Sequence, residues 1–265
     1  MKRNSIIYVA SLIALLVGTI IYAQVTNTKQ VSLDNSRDKD EEHLLESLHN
    51  IYRDISEQDP AKTCSLNYSV ITSVREQNDS LVQSAVDVAC TGREGWLSVI
   101  TSDLKLYQDK EAGVSVIPSE REIQIFPSTS SDLEAARRQS VQTFRDDFFR
   151  QCQILKKTYN NKSNEYTLIL QPDKALAQKF PVESVEVVFS PTEERISSVQ
   201  LKFRNDFMYE SMKVIYRSIE CSEQSDESAQ NRLSALEVVY NQNGKLKAEY
   251  SGYEVIDHRV LSGAE

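Results

Sequence analysis

The sequence predicts an α+β fold that is mostly β: a curved antiparallel sheet, or an unclosed β-barrel, with two amphipathic helices covering the concave face. Three observations predict it. Runs in which apolar and polar residues alternate recur along most of the chain, the period of a strand with one buried face. Short clusters of Asn, Asp, Ser and Gly separate the runs, the signal of tight turns and hence of antiparallel neighbours. Only two stretches carry apolar residues at helical spacing, too few to wrap both faces of a sheet and enough to cover one.

Composition sets the frame. The 265 residues are 40% hydrophobic and contain seven Gly and six Pro, which excludes fibrous and Pro/Gly-rich disordered chains. The net charge of −9 mixes both signs along the chain, and no Lys/Arg run exceeds two residues. Binding to nucleic acid requires many phosphates to be neutralised, so it is not expected.

At the N-terminus, Lys2 and Arg3 precede an apolar run from Ile6 to Ala23, the pattern of an export signal. Residues 1–23 read as a signal peptide cut after Ala23, or as an uncleaved membrane anchor, since the run is at the lower length limit for crossing a bilayer. Either way Lys2 and Arg3 stay cytoplasmic and the remainder is exported. The expected location is periplasmic, or inner-membrane-anchored and facing the periplasm. Residues 24–40 form a polar spacer, 41–260 a single β-rich export domain and 261–265 a C-terminal tail.

The elements follow in order. Leu44, Leu45, Leu48, Ile51, Tyr52 and Ile55 share one helical face, with Asp38 and Glu41 placed to cap its start and Asp59-Pro60 to end it. A hairpin is expected from Cys64 to Cys90 around Gln77-Asn78-Asp79-Ser80. Four short strands follow: Trp96 to Ile100, Leu104 to Gln108, Gly113 to Ile117 and Ile123 to Phe126. Ser131 and Glu134 begin a second helix carrying Leu133, Ala136, Val141, Phe144 and Phe148. A second hairpin, Gln153 to Tyr159 with Glu165 to Leu170, comes next, then a helical turn within Asp173 to Phe180. The last strands expected are Val185 to Phe189, Ile196 to Phe203, Met212 to Ile219, Leu236 to Tyr240 and Leu246 to Val255, the final two joined by the turn at Asn241-Gln242-Asn243-Gly244.

Four cysteines, Cys64, Cys90, Cys152 and Cys221, lie in the exported part, where an even count favours disulfides. The hairpin geometry suggests Cys64 with Cys90, leaving Cys152 with Cys221; four buried thiols are the alternative. No CxxC occurs, and His43, His49 and His258 lie far from any Cys, so no metal site and no cofactor are expected. On the first helix, His43 and His49 read as exposed. GxSxG, P-loop, GxGxxG and HExxH motifs are missing, and the paired acids Asp146-Asp147 and Glu193-Glu194 read as solvated surface; no catalytic residue is assigned and the chain is not read as an enzyme.

The aromatics offer a binding reading beside plain core packing. Tyr52, Trp96, Phe144, Phe148 and Phe203 are the candidate lining of an apolar cavity for an acyl chain. Phe148 and Phe149 are adjacent on the second helix, so one of them must point off its main stripe, into a neighbouring pocket or toward a partner. Taken together, the export segment, first helix, strand meander, mid-chain helix and second run of strands resemble the periplasmic lipoprotein carrier superfamily (LolA/LolB-like). That resemblance implies an unclosed barrel lidded by helices, an apolar interior and a lipid or lipoprotein acyl chain as ligand. The alternative is a non-enzymatic structural or assembly subunit of the cell envelope, tethered by its N-terminus and working through an envelope protein partner, with membrane contact only through that segment.

Overall fold

The computed structural model describes residues 39–56, 62–76, 80–93, 95–129, 148–179, 181–205, 207–223 and 234–259. Helix α1 spans Lys39–Ser56; the strands before the mid-chain gap are β1 (Lys62–Arg75), β2 (Leu81–Arg93), β3 (Trp96–Ile100), β4 (Lys105–Asp109), β5 (Ala112–Ile117) and β6 (Glu122–Pro127). After it come β7 (Cys152–Asn160), β8 (Glu165–Pro172), α2 (Lys174–Lys179), β9 (Val182–Ser190), β10 (Arg195–Phe203), β11 (Tyr209–Glu223), α3 (Ala235–Val239) and β12 (Glu254–Asp257). The strands form one sheet in the order β12-β6-β5-β4-β3-β2-β1-β11-β10-β9-β8-β7, unclosed, with β12 and β7 at its ends. The expected class, α+β and mostly β, is the observed one. The export segment, the spacer up to residue 38 and the second expected helix, with Phe144, lie outside the described residues.

The chain divides into two compact units. Of the described residues, the first holds those within 39–56, 68–86 and 148–217. Its strands β8 to β11 pair antiparallel, and residues opposite one another share a face: Leu168 with Val187, Leu170 with Val185, Val199 with both Val187 and Val214, Leu201 with both Val185 and Met212. All of these are buried. The alternate positions carry Glu186, Gln200, Lys202, Ser211 and Lys213 together with Ile169, Val188 and Ile215; all of these are half-buried or exposed, so the two faces of this part of the sheet differ in burial. Helix α1 packs on β10, and Asp40, Glu41 and Glu42 in its first turn suit the positive end of the helix dipole.

The second unit comprises residues 58–67, 87–138 and 218–265. Val114, Val116, Ile123 and Ile125 are fully buried beneath Ala235, Val239 and Tyr250. Asp109 ties the unit together: one carboxylate oxygen accepts from Glu111 N and Ala112 N at 2.8 and 2.9 Å, the other from Ala235 N, the first residue of α3, at 2.7 Å.

Three expectations are corrected here. Leu236 to Tyr240 is not a strand but α3, because Ser234 and Glu237 form a capping box with both reciprocal bonds present. Leu246 to Val255 is not one strand either. Tyr240 and Leu246 make an isolated bridge around the Asn241 to Gly244 turn, Ala248–Tyr250 is a 3₁₀ turn, and only Glu254–Asp257 is strand. That strand pairs parallel with β6, so the sheet is not antiparallel throughout.

The cysteine pairing is the third correction: the bridge joins Cys64 to Cys221. Hydroxyl contacts Ser65–Thr91 and Thr72–Ser84 step seven residues along each strand (65 to 72, 84 to 91). That register sets Cys64 opposite Gly92 and Cys90 opposite Leu66, so the hairpin does not juxtapose Cys64 and Cys90. Strand β11 on the other side of β1 supplies the partner instead. Cys90 and Cys152 remain buried thiols.

Candidate functional site

The buried sheet face of the first unit, with α1 upon it, is the candidate site. Four helix side chains do the covering: Leu44, Leu45, Leu48 and Ile51 are at most 7% exposed and recur three and four residues apart, as one helical stripe must. A 3₁₀ turn, Phe149–Gln151, also packs on α1. Phe148 and Phe149 meet edge to face at 5.5 Å between centroids, and both are buried. Neither is left pointing outward, and after the 3₁₀ turn the chain passes into β7 at Cys152.

A second aromatic group sits where β10 turns into β11. Phe203, Phe207 and Tyr209 have centroid separations of 5.1, 5.7 and 6.3 Å, and burial raises the Tyr209 hydroxyl above its ordinary pKa. Polar groups border this turn. Arg75 pairs with Glu210 and reaches Asn205 Oδ1 at 3.3 Å, while Arg204 donates to the Ala177 carbonyl at 3.3 Å. At the other end of β10, Ser197 and Arg195 bond Glu165, and the Ser197 hydroxyl is the larger cause of its lowered pKa.

The five expected lining residues are distributed as follows. Phe148 and Phe203 are buried in this unit, each with its own aromatic neighbours. Trp96 belongs to the second unit, where Arg93 lies 5.8 Å over its ring. The side chain of Tyr52 and all of Phe144 lie outside the described residues. Sequence reasoning left out Phe189 and Tyr209, buried at 0% and 4% exposure. The two-residue period through Val185, Val187 and Phe189 was the available signal. His43 is exposed, but His49 is buried, against expectation: it follows Leu48 and stands four residues from Leu45, on the flank of the covered stripe.

Among the described residues no group of three or more His, Cys, Asp or Glu side chains is placed to hold a metal ion, and no helix is long and apolar enough to cross a membrane. What the arrangement offers is apolar area beneath one helix.

No family model matches the sequence, and no curated protein matches it. Among solved structures, the fold is similar to an uncharacterized conserved protein from Thermus thermophilus, with 5% identity, TM-score 0.38, and coverage of 80% of this chain and 99% of that one. It is also similar to a LolA superfamily protein from Nitrosomonas europaea, with 10% identity, TM-score 0.29 and coverage of 67% and 94%. A third is a domain described as outer membrane lipoprotein-sorting, from Vibrio parahaemolyticus, with 11% identity, TM-score 0.32 and coverage of 71% and 95%.

Proposed function

We propose that the protein is an exported, non-enzymatic carrier that shields an apolar ligand, a lipid or lipoprotein acyl chain, against the sheet face beneath α1. The observation behind this reading is that one amphipathic helix covers the fully buried face of the β8 to β11 sheet, whose reverse side is only half-buried or exposed. Four buried aliphatic side chains contribute about 1.5–3 kcal/mol each, and an acyl chain contributes about 0.8 kcal/mol per buried methylene. About 8–15 methylenes therefore offset the loss of the helix contacts, a number that an ordinary fatty acyl chain supplies. The export-type N-terminus and the Cys64–Cys221 bridge agree with an oxidising compartment such as the periplasm.

Native mass spectrometry of the purified protein and titration with a fluorescent fatty acid test the proposal. A copurifying lipid, or saturable binding that a long-chain fatty acid competes away, is the expected result. Empty spectra together with no binding would remove the carrier reading.

A further inference from the structure

Strand β7 ends the sheet: its one neighbour is β8, and it stands last in the strand order. From Leu155 to Asn160 every residue is exposed. Edge strands are usually blunted by being short or covered, or by lysines and bulges; β7 is neither short, at nine residues, nor covered, and it carries both a bulge and lysines. Two large apolar side chains stand on it, Leu155 at 58% and Tyr159 at 48% exposure. The bulge between Ile154 and Lys156 sets Leu155 outside the ladder with β8. Three lysines, Lys156, Lys157 and Lys162, are exposed on the same hairpin, and none has an ion-pair partner among the described residues. In a chain with net charge −9, such a group is a local reversal of sign.

We infer that the β7 edge is a docking site for an extended acidic peptide segment of a partner protein, added as a further strand. Three properties of the edge select that occupant. The outward backbone groups of β7 supply the hydrogen bonds of strand addition. Lys156 and Lys157 are consecutive and so project to opposite faces, which favours acidic side chains on both faces of the incoming strand. Leu155 and Tyr159 supply apolar contact beside them. A second copy of this chain fits poorly, because pairing β7 with itself brings lysine against lysine, and like charges opposite one another destabilise a strand pair.

The test uses the full chain and two labelled peptides, each about ten residues long to match a strand, one repeating Val-Glu-Glu (the Val–Glu peptide) and the other Val-Lys-Lys (the Val–Lys peptide), so that charges fall on both faces. Fluorescence anisotropy is expected to show saturable binding of the Val–Glu peptide that weakens with salt. Hydrogen exchange is expected to slow at the amides of β7. The double variant Lys156→Glu/Lys157→Glu, with its melting temperature checked against the parent, should lose at least about tenfold in affinity for the Val–Glu peptide and gain binding of the Val–Lys peptide. Equal binding of both peptides, protection elsewhere than β7, or no binding would overturn the inference. So would a variant that merely self-associates where the parent bound no peptide, for the lysines would then serve only to keep the edge from pairing. Fatty-acid binding is measured on the same variant, so loss at the edge is distinguishable from failure of the carrier.

Discussion

Gly113 lies across from Phe126 in the β5–β6 pair, and a Cβ built on it would stand 1.8 Å from the Phe126 ring. The ring occupies the space that any larger residue would need, so Gly113→Ala forces Phe126 aside. The expected cost is about 1–3 kcal/mol, read from denaturant unfolding; an unchanged midpoint would show that the ring moves freely. Asp109 makes a different kind of contribution, since removing its carboxylate leaves the β4–β5 turn and the first amide of α3 without their acceptor. Asp109→Ala is expected to cost about 1–2 kcal/mol, and circular dichroism and thermal melting check it. Tyr250 provides a pH test. Burial, with smaller effects from Glu249, Tyr107 and Tyr253, raises its pKa from 10.0 to about 12. The folded state thus keeps the proton that the unfolded state loses first. The stability linked to it is complete below pH 10.0 and disappears as pH rises to about 12. Tyr250→Phe is expected to flatten the alkaline limb of the stability profile in that window, and an unaltered limb would reassign the alkaline loss to other groups.

At the scale of elements, α1 is the piece on which the carrier reading turns. Leu48 is fully buried at the centre of its stripe, and Leu48→Asp places a charge without a designed partner against the sheet, which costs several kcal/mol whenever the helix stays down. The variant is expected to detach α1, exposing backbone amides of residues 39–56 to hydrogen exchange while β8 to β10 stay protected; joint loss of protection would mean that the helix is a structural part of the unit. The boundaries of α1 and most strands were legible in the sequence, because their burial is one-sided and leaves a clean period. The C-terminal segment was not. Leu236, Val238 and Tyr240 alternate as a strand would, but the reciprocal Ser234–Glu237 cap closes a helical turn locally, whereas a strand there would have needed a distant partner. The parallel β12–β6 pair was equally hidden, since no tight turn announces it. Of the candidate lining residues, Phe148 and Phe203 are buried in the first unit, and Trp96 shows the limit of choosing by aromatic content: composition cannot tell which of two units a ring serves.

For the whole molecule, the bridge is the constraint of longest reach. Cys64 and Cys221 are 157 positions apart, and linking them removes freedom from the unfolded chain. In the loop-entropy account a bridge is worth about 2–4 kcal/mol, more for longer loops. Cys64→Ser with Cys221→Ser is expected to lower stability by about that amount, measured by urea unfolding under oxidising conditions; parity with the parent would show that the unfolded chain is held together by other means. The buried Cys90 and Cys152 are expected to resist alkylation in the native protein and to react on unfolding. The pairing escaped the sequence because β1 has a neighbour on either side, and the nearer cysteine along the chain is the one that the hairpin register moves out of line.

Closing so long a span covalently also changes what a protease can accomplish. Most of the folded chain lies between the two sulfurs, including the turns of every hairpin from β1 to β11. A single backbone cut at any of them yields no separate fragment: both ends remain on one molecule until a reductant is added. Digested protein should therefore migrate intact without reductant and fall into pieces with it, and a nicked population would keep its full mass until the bridge is reduced.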